Sequence, residues 1–352
     1  MKGLFRVILL IINLLFAGAL IVSTLAGSIE PSRMAVVSIL SYGYVIFVLA
    51  NVLFIIMWLC FSRWEFLISV AAIVSRISFI PLFFQIGGTT EAVQDEDVLR
   101  VMTFNMHNLN GLDSDTLMKA DSGAVLFLRM LNEEQPDVIC IQEYNARRKL
   151  GLKDSLAALG YTNHYSVHGE KKMAQNILFT RLPIVRGDEM NERTKFYVDL
   201  KKGDNLVRVC CVHLDSYELN EDDYESLERL THAKTDSSTH KLLHKFTQTT
   251  RQHEQEWKEE LLPLIESTGI PLVIAGDFND TPASYFYQQA SKLLKDSYVE
   301  QGRGFGTTYH GPFPAFRIDY ILHSPDMEAL SYKRISTPIS DHYPIVVDLR
   351  IH

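Results

Sequence analysis

Residues 272–280 read LVIAGDFND and give the strongest single indication of fold in this chain. The apolar run Leu272–Ala275 predicts a buried strand, and the glycine and polar residues behind it predict the end of that strand. Two polar side chains, Asp277 and Asn279, follow at once. Groups at the tip of a buried strand are held rigidly, as a preorganised site requires. The stretch therefore predicts a buried strand with chemically active groups at its end.

The same pattern, an apolar run followed by polar side chains, recurs towards both ends of the chain. The further polar clusters are Asn105, Gln142-Glu143, His213–Ser216, Arg317–Tyr320 and Ser340–His342. Each cluster alone has a structural explanation, such as a turn residue or a buried histidine with satisfied hydrogen bonds. Their ordered recurrence indicates one site assembled from several strand ends.

Strand and helix patterns alternate behind residue 98, and this mixture predicts a layered α/β domain of about 250 residues. The predicted strands are Leu99–Asn105, Asp137–Gln142, Asn176–Thr180, Phe196–Leu200, Leu206–Leu214, Pro271–Gly276, Ile318–Leu322 and Ile345–Ile351. The predicted helices are Asp115–Asn132, Lys153–Leu159 and Thr239–Ile265. We interpret 98–352 as a catalytic domain, 89–97 as a linker, and the polar stretch 218–238 as a surface excursion.

Residues 1–88 have a different composition. Three long apolar stretches, 4–26, 34–61 and 66–84, predict a bundle of about three transmembrane helices, because about 20 apolar residues cross a bilayer core. Arg76 lies within the third stretch, and we interpret it as packed against other helices or placed at the interface.

The charge distribution bears on partners and orientation. Residues 1–90 carry five basic and two acidic side chains, net +3, whereas the whole chain carries −8, so that residues 91–352 carry −11. This acidity is a poor match for a long nucleic-acid backbone, although a bound metal ion can supply local positive charge. The basic residues Lys2, Arg6 and Arg63 lie in segments that the positive-inside tendency places in the cytoplasm. An integral, multi-pass protein with an extracytoplasmic catalytic domain is the resulting prediction.

The side-chain types also point to a particular chemistry. Asp, Glu and Asn oxygens suit a hard cation, so we predict Mg²⁺, with Mn²⁺ as an alternative. The four cysteines, Cys60, Cys140, Cys210 and Cys211, show no metal-binding spacing and are interpreted as small buried hydrophobes. A histidine beside carboxylates can act as a base near neutral pH.

The ordered motifs TFN, IQEY, VHLD, GDFND, RIDYIL and SDHYPI resemble the endonuclease/exonuclease/phosphatase superfamily over about residues 98–352. That superfamily includes deoxyribonuclease-I-like nucleases, abasic-site endonucleases, neutral sphingomyelinases and inositol polyphosphate 5-phosphatases. The resemblance implies a four-layer sandwich of two packed, mainly antiparallel sheets flanked by helices. The resemblance does not cover residues 1–97. Together with the predicted membrane segments, it indicates a membrane-anchored, bacterial-type member of the superfamily.

The resemblance further implies roles for individual residues. Glu143 resembles the principal Mg²⁺ ligand of the superfamily, with Asn105 beside it and Asp341 completing the metal site.

Five other residues resemble the catalytic groups of the superfamily. His342 resembles the base that activates water, and Asp319 resembles the carboxylate that orients it. Asp277 resembles the acid that positions the nucleophile or assists the leaving group, and Asn279 resembles a donor to a phosphate oxygen. His213 resembles the phosphate-contacting histidine of the deoxyribonuclease and sphingomyelinase branches.

Weaker candidates are polar residues near these motifs, which we interpret as structural rather than catalytic. They are His107, Asn108, Lys171-Lys172, Asn176, Arg251, Tyr309 and His310.

Three functions follow from these observations. The first is a phosphodiesterase of nuclease type, favoured by His213 and the metal-ligand set. The alternative is a phosphatase or phospholipase-C-like (sphingomyelinase-like) hydrolase of lipid head-group or small-molecule phosphates, favoured by the membrane segments. The third is a non-catalytic binding module, which the complete residue set disfavours. The predicted partners are a phosphoester substrate (nucleic acid, lipid head group or small phosphodiester) and the lipid bilayer, with no protein partner.

Overall fold

The apolar runs form strands in the computed structural model, which describes residues 3–93, 95–107, 123–144, 152–166, 175–190, 194–217, 219, 223, 237–311 and 316–352. The strands are β1 (Phe84–Gln85), β2 (Val98–Asn105), β3 (Val138–Tyr144), β4 (Asn163–Ser166), β5 (Gln175–Thr180), β6 (Ile184–Glu189), β7 (Phe196–Lys202), β8 (Asn205–His213), β9 (Leu272–Asp277), β10 (Lys295–Asp296), β11 (Gly304–Phe305), β12 (Asp319–His323), β13 (Met327–Arg334) and β14 (Ile345–Ile351). All eight predicted strands are present, each within one or two residues of its predicted bounds.

Two six-stranded sheets contain most of these strands. The first has the order β13-β14-β2-β3-β5-β4, and the second has the order β10-β12-β9-β8-β7-β6. The pairs β2–β3 and β8–β9 are parallel, whereas the other pairs are antiparallel. The two sheets are therefore mixed and mainly antiparallel.

The sheets pack face to face through one buried apolar cluster. Val101 and Leu349 of the first sheet and Val209 and Ile321 of the second belong to it, and each is at most 1% exposed. Alternate residues of a strand point to opposite faces, so these side chains form the layer between the sheets.

A second apolar cluster covers the other face of the first sheet. The helix Gly123–Glu134 buries Ala124, Phe127, Met130 and Leu131, which recur at helical spacing and face one side. Phe127 and Leu131 pack in one cluster with strand residues of the first sheet. Helices therefore flank the sheets, as predicted. The N-terminal part of the predicted helix Asp115–Asn132 lies outside the described residues.

The described α-helices fall in three regions of the chain. They are Gly3–Leu25, Pro31–Ser41, Tyr44–Cys60, Phe66–Ser75, Gly123–Glu134, Leu152–Ala158, Ser237–Glu256, Leu262–Ser267, Tyr285–Ala290 and Ser297–Gln301. The predicted long helix Thr239–Ile265 is interrupted by a π-helical turn at Trp257–Leu261. Pro263 follows that turn and has no N–H to continue the α-helical bonding, which explains the interruption.

The chain divides into two compact units. The helical unit comprises Met1–Leu82, Ser216–Trp257 and Asp280–Ala290. The sheet unit comprises Phe83–Asp215, Lys258–Asn279 and Ser291–His352. The predicted surface excursion 218–238 lies almost entirely outside the described residues.

The first four helices of the helical unit pair polar side chains with one another. Asn13 Nδ2 donates to Ser69 Oγ at 2.7 Å, and Trp58 Nε1 donates to Asn13 Oδ1 at 2.9 Å. Asn51, also fully buried, donates to Phe47 O at 2.8 Å. By contrast, many large apolar side chains of the same helices are exposed, among them Leu15 at 67% and Leu53 at 66%. Polar groups inside and apolar groups outside reverse the usual pattern of a water-soluble bundle.

The prediction of about three spanning helices is not supported. Of the described helices, Gly3–Ser28 is long and apolar enough to cross a bilayer. The second predicted span is broken into Pro31–Ser41 and Tyr44–Cys60, which are bent by 51°. The third contains a helix of only ten residues, Phe66–Ser75. Gly43 at the bend and Pro81 in the turn behind the short helix account for these breaks, because both residues disfavour a continuous α-helix.

Candidate active site

The parallel strand pairs bring the predicted site residues of the sheet unit together. The carboxyl ends of two parallel strands lie at the same edge of a sheet. Asn105 ends β2 and Glu143 lies near the end of β3, and these two strands are paired up to Asn105 and Gln142. The segment Ser340–His342 precedes β14, which is antiparallel to β2 and so begins at that same edge.

The second sheet has the same arrangement. His213 and Asp277 end β8 and β9 and are partners in the register of that parallel pair. Asp319 begins the antiparallel strand β12 and is the register partner of Asp277. Gly276 of β9 permits the close approach of β8, because a Cβ atom at this position would lie 1.8 Å from Val212 O. Four predicted residues, including Asn279 behind β9, therefore converge at one edge.

His342 and Asp319 form a buried pair that links the two sheets. His342 Nδ1 lies 2.9 Å from Asp319 Oδ2 and 3.2 Å from Oδ1. His342 is 6% exposed and Asp319 is 2% exposed. An N–H at Nδ1 that donates to the carboxylate leaves Nε2 for another partner, and Nε2 lies 3.8 Å from Asp277 Oδ2. The ring of Tyr309 packs edge-on against His342, with centroids 5.0 Å apart.

Asn105 connects two carboxylates. Its Nδ2 donates to Asp277 Oδ2 at 2.9 Å and to Glu143 Oε1 at 3.2 Å, while its Oδ1 accepts the backbone N–H of His107 at 2.9 Å. Asn105 is 2% exposed, so the amide is held between groups from both sheets. In this orientation the amide nitrogen, rather than the oxygen, faces the carboxylates.

Asp341 is joined to the same edge by two side chains. His107 Nδ1 lies 2.8 Å from Asp341 Oδ1, and Ser340 Oγ lies 3.2 Å from that oxygen. Ser340 Oγ also donates to Asn105 O at 2.8 Å and accepts the backbone N–H of His342 at 3.1 Å. The hydroxyl of Ser340 thus fixes the loop that carries two of the predicted residues.

Backbone strain is concentrated here. Five non-glycine residues of the described chain have positive φ, and three belong to this edge: His107 (44°), Glu143 (54°) and Asn279 (49°). Left-handed conformations are disfavoured for such residues and are often found at functional sites. Hydrogen bonds from Asn279 N to Asp277 Oδ1 (2.8 Å) and from Asn279 Nδ2 to Leu214 O (3.0 Å) hold the last of them in place.

The charges of the site perturb one another. Burial raises the pKa of Asp277, and the charge of Asp319 raises it further. Burial alone would lower the pKa of His342, but the charge of Asp319, followed by that of Asp277, outweighs it and raises the pKa to about 10. Burial opposes ionisation of Asp341 as well, but the hydrogen bond with His107 holds the pKa of Asp341 below its usual value.

We expect the imidazole of His342 to titrate well above its unfolded value of about 6.5 in metal-free protein. Because its pKa is higher in the folded state, the protonated imidazole of His342 stabilises the folded protein. This stabilisation is complete below the unfolded pKa and is lost as the pH rises towards about 10. NMR titration of the ring protons in the presence of a chelator measures the value, and Asp319→Asn is expected to lower it. A titration midpoint near 6.5 that Asp319→Asn leaves unchanged would contradict the coupling.

The donor set suits a hard cation. Asp277, Asp319 and His342 form a candidate metal-binding group, with one ligand atom from each within 4.8 Å of the others. Glu143 and Asp341 add two carboxylates, and their side chains are 26% and 24% exposed, respectively. Oxygen ligands and excess negative charge favour Mg²⁺ or a similar ion. Because both oxygens of Asp319 already face His342 Nδ1, Glu143 and Asp341 are the better placed carboxylates for a cation.

His213 supplies an independent indication of a ligand. Its Nε2 is buried and has no hydrogen-bond partner among the described residues. That atom lies 3.8 Å from Asp277 Oδ2 and 4.0 Å from Glu143 Oε1. A buried polar atom without a partner is costly, and a bound oxygen ligand such as a phosphate would satisfy it.

Some weaker candidates lie at the site and others do not. His107 and Tyr309 contact Asp341 and His342, as described above. Asn176 donates its amide to the backbone of Thr194 in the sheet unit, and Arg251 is exposed on a helix of the helical unit. His310 stacks on Tyr343, with ring centroids 4.3 Å apart. Asn108 and Lys171-Lys172 lie outside the described residues.

Two residues that position the site, Ser340 and Thr308, had no predicted role. Ser340 is part of the SDH cluster, so its position in the motif was an available signal. Thr308 gave none: its Oγ1 accepts the backbone N–H groups of Ile318 (3.1 Å) and Asp319 (3.0 Å), which fixes the start of β12.

Comparison with protein families identifies the class. Residues 102–342, more than half of the chain, match the family described as "Endonuclease/Exonuclease/phosphatase family". The chain belongs to this family of hydrolases of phosphoester bonds. Residues 6–83 match a second family, described as "Domain of unknown function (DUF8431)". No curated protein matches the chain.

Solved structures show similar folds. One is the endonuclease/exonuclease/phosphatase from Bacteroides vulgatus, with 19% identity, coverage of 72% of this chain and 99% of that chain, and a TM-score of 0.48. Another is the human Nocturnin catalytic domain with bound sulfate, with 18% identity, coverage of 74% and 97%, and a TM-score of 0.49. A humanized D. rerio TDP2 has 16% identity, coverage of 72% and 99%, and a TM-score of 0.49. At these values the family assignment rests on the sequence match.

Proposed function

We propose that this protein is a membrane-anchored, divalent-metal-dependent phosphodiesterase of nuclease type, in which His342 activates the attacking water. The observation that carries the proposal is the buried pair of His342 and Asp319. Asp319 orients the imidazole through Nδ1 at 2.9 Å, and Nε2 then accepts the proton of a water molecule. The same carboxylate stabilises the imidazolium that proton transfer produces.

Glu143 and Asp341 hold the cation in this proposal, with Asn105 between Glu143 and Asp277. When bound, the cation supplies charge stabilisation for the transition state and the leaving oxygen. Its charge also opposes protonation of His342. This matters because a pKa of about 10 would keep the imidazole protonated, and unable to act as a base, at neutral pH.

Two residues contact the substrate phosphate. The buried Nε2 of His213, which faces Asp277 and Glu143, donates to a phosphate oxygen. Asn279 is fixed by Asp277 and Leu214, and its side-chain amide contributes a second donor. Asp277 positions the nucleophile or assists the leaving group. Its raised pKa makes protonation easier than for an ordinary aspartate.

The helical unit anchors the protein to the bilayer. Support comes from the helix Gly3–Ser28 and from the exposed apolar side chains that surround buried polar groups such as Asn13 and Asn51. Lipid solvates the apolar exterior, whereas hydrogen bonds within the unit satisfy the polar interior. An extracytoplasmic catalytic domain remains our prediction, and a reporter fused behind His352 tests it, because activity of a cytoplasm-specific reporter would overturn it.

A second candidate function is a phosphatase or phospholipase-C-like hydrolase of lipid head groups. The exposed apolar surface of the helical unit favours it, because a bilayer anchor brings phospholipid head groups near the enzyme. The acidity of residues 91–352, net −11, likewise counts against long nucleic acids.

A substrate panel with the full-length protein in detergent or nanodiscs tests these proposals. An aryl phosphodiester, DNA, RNA, sphingomyelin vesicles and inositol phosphates are each incubated with Mg²⁺, Mn²⁺ or a chelator. We expect metal-dependent turnover of the aryl phosphodiester. Preference for nucleic acid supports the first function, and preference for sphingomyelin or inositol phosphates supports the second. No turnover of any phosphoester by folded protein would refute both.

A further inference from the structure

A buried polar cluster in the helical unit lies directly behind two of the catalytic motifs in sequence. Tyr42 donates its hydroxyl to Asp280 Oδ1 at 2.5 Å and is also hydrogen-bonded to the hydroxyl of Tyr217. His253 Nδ1 lies 3.0 Å from Asp280 Oδ2. Asp280, Tyr217 and His253 are all at most 8% exposed. None of these four residues belongs to the candidate active site described above.

The sequence positions of this cluster connect it to catalysis. Asp280 immediately follows Asn279, and Tyr217 lies four residues behind His213. The two chain segments pass from the sheet unit into the helical unit at Ser216, three residues behind His213, and at Asp280, one residue behind Asn279. There a single hydroxyl, that of Tyr42, bonds to both of them. Within the sheet unit the same two loops are already joined by Asn279 Nδ2 and Leu214 O at 3.0 Å.

The packing around the cluster is aromatic and close. The Tyr42 ring lies edge-on to Tyr217, with centroids 5.5 Å apart. Phe246 packs against both rings, at 4.7 Å from Tyr217 and 6.0 Å from Tyr42. A charged Asp280 in such surroundings depends on its hydrogen bonds, since an unsatisfied buried carboxylate is strongly destabilising. Tyr42 and His253 therefore help to hold the carboxylate of Asp280 in position.

Tyr42 is one of several contacts that the N-terminal helices make with the same segments of the helical unit. Ser32 donates its backbone N–H and its hydroxyl to Glu254, at 2.7 and 2.9 Å. Gln289 Nε2 donates to Gly27 O at 2.8 Å. The stretch from Gly27 to Tyr42 is thus built to hold the helix that carries His253 and the segment that begins at Asp280.

We propose that Tyr42 is a positioning residue for phosphoester hydrolysis, whose hydroxyl fixes the chain segments that leave the loops of His213 and Asn279. The inference rests on the proposed function. It gives the N-terminal helices a part in catalysis beyond anchoring, because Tyr42 lies between the helices Pro31–Ser41 and Tyr44–Cys60. The break between those helices is then explained, since it presents the hydroxyl to Asp280.

Tyr42→Phe in the full-length protein tests the inference, because it removes the hydroxyl and keeps the ring. We expect kcat to fall about tenfold, with KM within about twofold of the wild-type value. Misplacing a catalytic group lowers the rate without removing ground-state binding. The double variant Tyr42→Phe/Asp280→Asn is expected to be no slower than the slower of its two single variants, because Tyr42→Phe removes and Asp280→Asn weakens the same hydrogen bond. A kcat equal to the wild-type value would overturn the inference.

Tyr44→Phe is the matched control. Tyr44 is also buried in the N-terminal helices, and its hydroxyl lies 3.5 Å from Arg76 O, at the limit of a hydrogen bond. We expect this variant to keep wild-type kcat. Equal losses in both variants, accompanied by equal losses of melting temperature, would indicate a general effect on folding and would overturn the specific role.

Hydrogen exchange separates this inference from the proposed function. Peptides covering 213–217 and 277–281 are expected to exchange about tenfold faster in Tyr42→Phe than in Tyr44→Phe, whether or not a substrate is cleaved. Unchanged exchange overturns the inference even if the wild-type enzyme is active. Faster exchange in a protein that cleaves no phosphoester would refute the proposed function while supporting the fixation of both loops.

Discussion

Replacing His342 by alanine is expected to lower kcat for an aryl phosphodiester about 10³-fold, within the range of roughly 10² to 10⁴ that a positioned acid–base group supplies. The physical reason is the loss of the only imidazole that, among the described residues, is hydrogen-bonded to Asp319 at this edge. Initial rates at saturating Mg²⁺, measured with the full-length protein, give the value.

Two further variants sharpen this test. Asp319→Asn keeps the size of the side chain but no longer favours the Nδ1–H tautomer, so we expect a loss of similar order. His164→Ala removes an exposed histidine from β4 and is expected to leave kcat within about twofold of the wild-type value. If His342→Ala retained more than a tenth of the activity, another group would have to act as the base.

Replacing Glu143 by alanine is expected to abolish turnover at about 1 mM Mg²⁺ and to restore part of it at much higher concentrations. The apparent affinity for Mg²⁺ should fall more than about 100-fold, since residues that merely support metal ligands already cost about 10- to 100-fold. The reason is that Glu143 is a partly exposed carboxylate whose Oε1 lies 3.2 Å from Asn105 Nδ2 and 4.0 Å from His213 Nε2, in the centre of the site.

A Mg²⁺ titration of activity, supported by calorimetry with the ion alone, measures this effect. Glu189→Ala is the matched control, because Glu189 is exposed on β6 in the same unit. We expect that variant to show the wild-type Mg²⁺ dependence. A wild-type Mg²⁺ dependence in Glu143→Ala would instead show that the cation is held elsewhere, with Asp277, Asp319 and His342 as the next candidates.

The strand predictions succeeded where apolar runs were long and bounded by turn residues, as in β9 and β14. The strands β4, β6 and β13 were missed because they lack a continuous apolar run and contain several polar or charged residues. Such strands are stabilised largely by pairing and packing with neighbouring strands, and a local sequence pattern does not contain this information.

The membrane region shows the opposite error. By its hydropathy, 34–61 is one apolar stretch. In the fold it contains two helices with a bend between them, at Gly43 and the hydrogen-bonded Tyr42. Tyr42 bonds to residues 175 and 238 positions away. Local hydropathy contains no information about contacts at such separations, so the angle and the partners of the break could not be predicted from it.

The site was predictable as a set of residues but not as an arrangement. The stretch LVIAGDFND and the five other polar clusters predicted polar groups at the ends of buried strands, because the change from apolar to polar residues is visible locally in the sequence. Only the tertiary structure decided which groups meet. The parallel pairs β2–β3 and β8–β9 place Asn105, Glu143, His213 and Asp277 at one edge of the sheets.

Tertiary structure also decided the partners of Asp280, the last residue of the GDFND motif. From the sequence alone Asp280 is one more acidic residue behind Asn279, whereas in the fold it is buried against Tyr42 and His253. The chemistry of a side chain is fixed by its type, but its partner is fixed by packing between segments that are distant in the chain. For that reason the sequence determined the class of reaction, and the fold decided which residues hold the reacting groups in place.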